Sequence, residues 1–376
     1  MPGGLTSPPV AAPPHAARLA ALRGAMAEAH LGAIVVSRTA AKRYLAGFVL
    51  QPGEEPTAGY AGTLVVTADA AILLADARYA EQARAQCPGW EVHVTTARIG
   101  VEVSRVLGAG VARCGAEATV VSHADWNELT TALPHAALVP FDEPLAALRL
   151  RKDPGEVAAI ERACALTDAC FAHLLAWVRP GMSERSVAWE IERFFRDAGA
   201  DGLAFTPAVL VGERASMPHG GPTDAPLRTG AALLLDFGCQ VDGYRSDMTR
   251  TVWLGEPTPA DRERHALVRA AQQAAYDTLA VGVSGRAVDG AARELLAEAG
   301  LGEAFTHGLG HGIGLETHED PLLRTWDRPL EAGMAFTLEP GVYLAGQAGI
   351  RVEDDVLLET DGPRWLTTSN RDMIVI

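Results

Sequence analysis

A chain of 376 residues is long enough for two domains, and its 48% hydrophobic content is that of an ordinary globular protein with sizeable cores. A formal net charge of −15 argues against a phosphate-binding surface and against an anionic membrane, so neither nucleic acid nor membrane is expected as a partner. The five cysteines are odd in number and lack CxxC spacing, which reads as buried free thiols in a reducing cytoplasm.

The first fifteen residues, rich in Pro, Ala and Gly, read as a flexible tail and not as a signal peptide. Residues 16–145 follow as an alternating α/β domain. A helix is expected over 17–30, then strands over 33–36, 63–67, 71–74, 92–94 and 119–122. Nothing there clusters acids, histidines or cysteines at ligand spacing. A linker is expected from Pro144 to Pro154, and a second domain from 146 to 376. That domain opens with a long helix over 156–178, stopped by Pro180-Gly181, and a shorter one over 183–198, ended by Gly199.

From here the chain nearly repeats itself. Gly181-Met-Ser-Glu-Arg185-Ser-Val187 matches Gly282-Val-Ser-Gly-Arg286-Ala-Val288. Ala198-Gly199 matches Ala299-Gly300, and Ala204-Phe205-Thr206 matches Ala304-Phe305-Thr306. Gly230 with Asp236 and Gly238 matches Gly333 with Glu339 and Gly341. One unit, two helices and a strand ending in a carboxylate, therefore occurs twice. Two copies about a pseudo-twofold axis would bring Asp236 and Glu339 into one cleft.

The first copy ends in LLLDFGCQVDGYRSDMTRT, residues 233–251. Asp242-Gly243 reads as a two-residue hairpin turn. With that turn, Asp247 faces Gly238 across the pair and becomes a diagonal neighbour of Asp236, within reach of a common ion. The second copy adds His307 and His311 in THGLGHGIGLETHE, whose glycines 308, 310, 312 and 314 let backbone approach whatever the histidines hold. It also adds Glu339 before Pro340, and Arg351 and Glu353 on one face of a strand. Singly, Asp247 reads equally as a turn cap, Glu339 as a solvated strand end and His311 as a core histidine. Together Asp236, Asp247, His311, Glu339 and Glu353 suit two divalent ions. Oxygen-rich ligation favours Mn²⁺, with Co²⁺, Zn²⁺ or Fe²⁺ as alternatives.

These segments, with PHG at 218–220, LEPGVY and GIRVEDD, resemble the ordered motifs of the pita-bread metallopeptidases. Within that family they are most similar to Xaa-Pro dipeptidase (prolidase) and Xaa-Pro aminopeptidase. The segment Arg43 to Phe48 is weakly similar to the family's N-terminal domain. The resemblance implies an α+β fold: a pita-bread domain of duplicated helix-helix-strand units around an antiparallel sheet, plus a smaller α/β N-terminal domain. It implies that the five residues above are the metal ligands and that Glu339 also accepts a proton. It further implies that His219 and His318 handle substrate and protons, with His307 and Arg351 in support. The implied substrate is a small peptide with Pro second, and the implied assembly a homodimer. A basic residue commonly follows the Pro of the HExP segment in prolidases. Here Leu322 follows Pro321, and Arg324 is the nearest candidate reader of a terminal carboxylate. An aminopeptidase acting on longer peptides is the alternative, and a metal-free binding protein the reading of another class.

Overall fold

The computed structural model describes residues 15–50 and 61–376. The expected tail lies outside the described residues except for His15, which opens the first helix. By internal contacts the chain divides between Arg149 and Leu150.

The first unit runs α1 (His15–Glu28), β1 (Ala33–Val36), α2 (Thr39–Ala46), β2 (Thr63–Thr67), β3 (Ala71–Ala75) and α3 (Ala80–Gln86). It continues β4 (Glu91–Val94), α4 (Ile99–Leu107), β5 (Arg113–Ala116), α5 (His123–Ala132), β6 (Ala137–Pro140) and α6 (Asp142–Leu150). The six strands form one mixed sheet in the order β4-β3-β2-β1-β5-β6. Continuous apolar runs such as AIVV of β1 are buried along their whole length, as strands covered on both faces must be.

Two expectations fail here. Residues 119–122 are not a strand but the turn before α5. The Asp142 carboxylate accepts from the amides of Ala118 and Thr119, and Ser122 caps α5 by accepting from the Asp125 amide. The strand is β5, whose RCGA sequence has too few β-branched residues to announce itself. The expected linker is also mostly helix. Pro144 sits in the first turn of α6, where its missing N–H costs nothing, leaving only 151–153 as connection.

The second unit begins with α7 (Pro154–Trp177), started by a reciprocal Asp153–Glu156 capping box, and α8 (Glu184–Asp197), capped by Ser183. Strands β7 (Gly202–Leu203), β8 (Ala208–Val211), β9 (Ala232–Phe237), β10 (Cys239–Val241), β11 (Tyr244–Arg245) and β12 (Met248–Trp253) complete the first copy. The second copy supplies α9 (Pro259–Thr278), with its own Thr258–Asp261 capping box, and α10 (Gly285–Glu298), capped by Ser284. There follow β13 (Ala335–Leu338), β14 (Gly341–Leu344), β15 (Ala348–Arg351), β16 (Asp354–Glu359), β17 (Gly362–Trp365) and β18 (Ile374–Val375).

The duplication holds in detail. The amide of Gly181 donates to the Leu227 carbonyl at 2.8 Å, and that of Gly282 to the Leu330 carbonyl at 2.8 Å. Ser183 bridges Pro226 as Ser284 bridges Pro329. Each copy carries its own apolar core, one around Phe171, Ile191, Phe195 and Leu235, the other around Val268, Val288, Leu296 and Phe336. The expected antiparallel sheet is divided among four small sheets, with β12 and β18 paired in parallel. Division gives the acidic strand ends several directions from which to approach one cleft.

All five cysteines are buried and none is paired. Among the described residues no helix is long and apolar enough to cross a membrane.

Candidate metal centre and active site

The hairpin at 242–243 forms as read. Asp242 and Gly243 both have positive φ, the type I′ geometry, and Val241 pairs with Tyr244. Continuing that register sets Thr249 opposite Asp236, so Asp247 lies diagonal to Asp236. Gly238 is required where the strands close: a Cβ there would collide with the Ser246 carbonyl.

A cleft of about 630 Å³ opens at these strand ends. All five sequence-expected ligands line it, with His219, His307, His318, Arg324 and Arg351. Donor atoms of Asp247, His311 and Glu353 lie within 4.8 Å of one another, and all three residues are buried. His311 Nε2 is 3.5 Å from Glu339 Oε1 and 3.8 Å from Asp247 Oδ2. Asp236 stands outside that trio, its Oδ2 bound to Arg351 Nη2 at 2.5 Å. Arg351 also donates to Thr249 Oγ1 at 2.9 Å and to the Tyr343 hydroxyl at 2.8 Å, and its Nε is 3.8 Å from Glu353.

The electrostatics are those of a centre built for cations. Burial first, and the neighbouring carboxylates Glu353 and Asp236 next, push Asp247 well above the usual carboxylate range. Burial and Glu353 do the same to Glu339, and burial and Asp236 raise Glu353 to about 7. Burial pushes His311 down to about 3, so its imidazole is neutral at physiological pH with a lone pair to give. Its Nδ1 lies 3.1 Å from the Gly312 carbonyl, which leaves Nε2 as the donor atom facing the acids. Asp236 Oδ1 and Asp247 Oδ1 are buried without a hydrogen-bond partner among the described residues. Buried carboxylate oxygens left bare, mutual repulsion and a neutral imidazole all fit divalent cations.

Supporting residues that the sequence reading missed surround this centre. Thr249 Oγ1 donates to Glu353 Oε2 at 2.5 Å, and Tyr343 bridges Arg351 to His307 Nε2. Asp355 Oδ2 accepts from the Asp247 amide at 2.9 Å. Arg250 holds the Glu353 carbonyl at 2.6 Å and pairs with Asp354 at 2.7 Å. Thr249 was findable: two residues beyond Asp247, it shares the face of that acid.

The loop glycines have a further use beside the expected one. Gly310 and Gly312 admit the backbone of Thr337 and Asp320, where a Cβ would collide. They pack the histidine loop onto its neighbours, while Gly308 and Gly310 also line the cleft. Arg351 ends β15 and Glu353 falls between β15 and β16, so the single alternating strand expected there is broken.

His219 and His318 are exposed at the cleft mouth, and the His318 ring lies 4.2 Å from that of His311. Burial, then Arg351, lowers His307 to about 4. Arg324 is exposed on the 3₁₀ turn Leu323–Thr325, beside Leu322, and has no ion-pair partner among the described residues.

Residues 158–360 match the model of metallopeptidase family M24, and residues 18–151 that of the creatinase/prolidase N-terminal domain. An uncharacterized peptidase, YqhT of Bacillus subtilis, is 34% identical over 96% of this chain and 100% of its own length. The solved Xaa-Pro dipeptidase from Bacillus anthracis superposes with a TM-score of 0.89 at 34% identity, covering 96% of this chain and 100% of that one. The X-Pro aminopeptidase from Thermotoga maritima gives 0.87 at 32% identity over 95% of this chain and 99% of that one. This chain belongs to metallopeptidase family M24.

Proposed function

We propose that this protein is a metal-dependent peptidase that hydrolyses the bond between an N-terminal residue and a following proline, with Xaa-Pro dipeptides as its first substrates. The observation that carries the reading is the convergence of His311, Asp247, Glu339 and Glu353 in a cleft also lined by Arg324, whose guanidinium has no ion-pair partner among the described residues. Asp236, Asp247, His311, Glu339 and Glu353 would hold two divalent ions, for which the oxygen-rich set favours Mn²⁺. Such ions polarise a carbonyl and lower the pKa of water.

The chain's own groups do the rest. Glu339 accepts the proton of the attacking water. His219 and His318, at the mouth, donate to the developing oxyanion, and a histidine protonates the leaving imino nitrogen. The Xaa-Pro bond is a tertiary amide with no N–H, so a site must recognise the pyrrolidine ring by shape. Phe205, Pro207 and Leu322 offer an apolar wall for it. Arg351, buried and pinned by Tyr343 and Thr249, holds Asp236 and faces Glu353. His307 backs Tyr343 from the other side.

Arg324 is assigned to the terminal carboxylate of the dipeptide. A second reading, an aminopeptidase taking longer peptides, is favoured by Leu322, exposed where a basic residue would read that carboxylate. Turnover of an Xaa-Pro dipeptide and an Xaa-Pro-Xaa tripeptide, with and without added Mn²⁺, tests both. Arg324→Ala is expected to raise the dipeptide KM about tenfold or more, the worth of a charge-assisted hydrogen bond, and to leave the tripeptide unaffected. Unchanged dipeptide kinetics remove Arg324 from the assignment. Asp247→Ala and Glu353→Ala should each lose metal and nearly all turnover; retention of both ions and full activity refutes the centre. A metal-free binding protein would show neither ions nor turnover.

The chemistry is assigned to residues 146–376 and not to 16–145. The five unpaired buried thiols support a reducing cytoplasm. A homodimer is proposed on the family resemblance, and light scattering tests it.

A further inference from the structure

We propose that Lys152 and Glu319 form a buried ion pair that positions His318, which makes Lys152 a positioning residue for the reaction although it lies in the connection before α7. The inference rests on the role given to His318 above.

His318 is exposed and makes no hydrogen bond of its own among the described residues. Its ring packs against that of His311, with centroids 4.2 Å apart, and the arm that carries it is held through its two chain neighbours. On one side, Thr317 Oγ1 accepts from Arg245 Nη1 at 2.7 Å and donates to the Ala204 carbonyl at 3.2 Å, tying the loop to the first copy. On the other side, Glu319 Oε1 lies 2.7 Å from Lys152 Nζ, and the two side chains are 6% and 1% exposed. The Glu319 amide donates to the Gly312 carbonyl at 3.0 Å, and the Gly312 amide to the Pro321 carbonyl at 2.9 Å. The loop thus closes on itself, with His311 on one arm and His318 on the other.

Lys152 is itself fixed. Its amide donates to the Gly333 carbonyl at 2.7 Å, and Arg151 bridges Met334. Those residues lead into β13, whose end carries Glu339. The pair therefore ties the His318 arm to the frame that bears Glu339. A buried charge cannot part from its partner without a large desolvation penalty, so the arm cannot drift while the pair is intact. Gly314 completes the fit, since a Cβ there would collide with the Glu319 carboxylate.

Lys152→Met in the full metal-loaded chain tests the assignment. It is expected to lower kcat on an Xaa-Pro dipeptide about tenfold or more, with KM and bound metal unchanged. Amide exchange of Gly312 and Glu319 should accelerate while the amides of α10 stay as in the parent. Lys152→Met/Glu319→Gln, which strands no charge, should return kcat to within about threefold of the parent. Parental kcat in Lys152→Met, a loss in KM alone, or a double variant no better than the single overturns the proposal. Should Lys152→Met not fold, Glu319→Gln carries the test. It should lower kcat about three- to tenfold at unchanged KM and loosen the same two amides, and no change in either overturns the proposal. The exchange measurement does not depend on turnover, so a parent chain inactive on Xaa-Pro peptides would be recognised as a failure of the reaction assignment alone.

Discussion

The hydroxyl of Thr249 offers the sharpest test of how the metal centre is held. Thr249 is fully buried. Its Oγ1 donates to Glu353 Oε2 at 2.5 Å and accepts from Arg351 Nε at 2.9 Å. It therefore orients a proposed ligand and the arginine beside it at once. Thr249→Val keeps the shape and deletes the hydroxyl. A hydrogen bond to a charged group contributes about 1.5–3 kcal/mol. At about 1.4 kcal/mol per tenfold this corresponds to roughly a ten- to hundredfold loss of metal affinity, the range typical of outer-shell partners. Calorimetric titration of the metal-free chain with Mn²⁺ measures it. Thr249→Ser is the control. It keeps the hydroxyl and loses one buried methyl, which should cost about 1 kcal/mol of folding stability and leave affinity within about threefold. A Val variant that binds Mn²⁺ within about twofold of the parent refutes the view that this hydroxyl orients Glu353.

Other outcomes follow from the same coordinates. Asp247→Asn removes one of the mutually repelling buried acids, so without metal it should melt above the metal-free parent. With saturating Mn²⁺ the order should reverse, because the parent alone gains the full ligand linkage; scanning calorimetry with and without chelator reads both signs. Gly310→Ala would drive a Cβ into the Thr337 carbonyl, and Thr337 also holds the His311 carbonyl through its amide at 2.9 Å. A loss of about 1–3 kcal/mol in urea unfolding, with weakened metal binding, is expected. His265 is lowered to about 4, chiefly by burial against an ordinary value of 6.5. Its folded pKa is depressed, so the unfolded chain binds more protons between the two values. The stability from this group is complete above about 6.5 and lost as pH falls through about 4. His265→Phe should flatten that limb of a melting-temperature profile. Lys42, lowered to about 8 by burial, acts likewise at higher pH. Its contribution is gone below about 8 and complete above about 10.5, and Lys42→Met should abolish the rise between them.

Much of the placement of the candidate ligands could be read from the sequence because its determinants are local. Asp242-Gly243 dictates a tight turn, and the turn dictates a register that makes Asp236 and Asp247 neighbours. Ser183 and Ser284 cap helices at matching places because the same short motif meets the same need for a side-chain acceptor. What escaped depends on partners far away in the chain. Asp355 reaches the Asp247 amide, and Arg250 reaches the Glu353 carbonyl, only once β12 and the 353–355 stretch have met. The misread strand at 119–122 has the same cause, since its turn is held by Asp142, well beyond any local window. For the glycines of the histidine loop, spacing reveals that room is needed but not every neighbour that needs it.

The division of donors between two copies has a consequence for biosynthesis. Asp236 and Asp247 emerge early, His311 later, and Glu353 last of the five. A nascent chain on the ribosome holds no complete set of the proposed ligands until residue 353 has been made and has met Thr249 of β12. With those five residues as ligands, ion capture is a late event in the life of each molecule. On the proposed ligand set, a stalled or truncated translation product lacking that stretch would compete poorly with finished copies for scarce divalent ions.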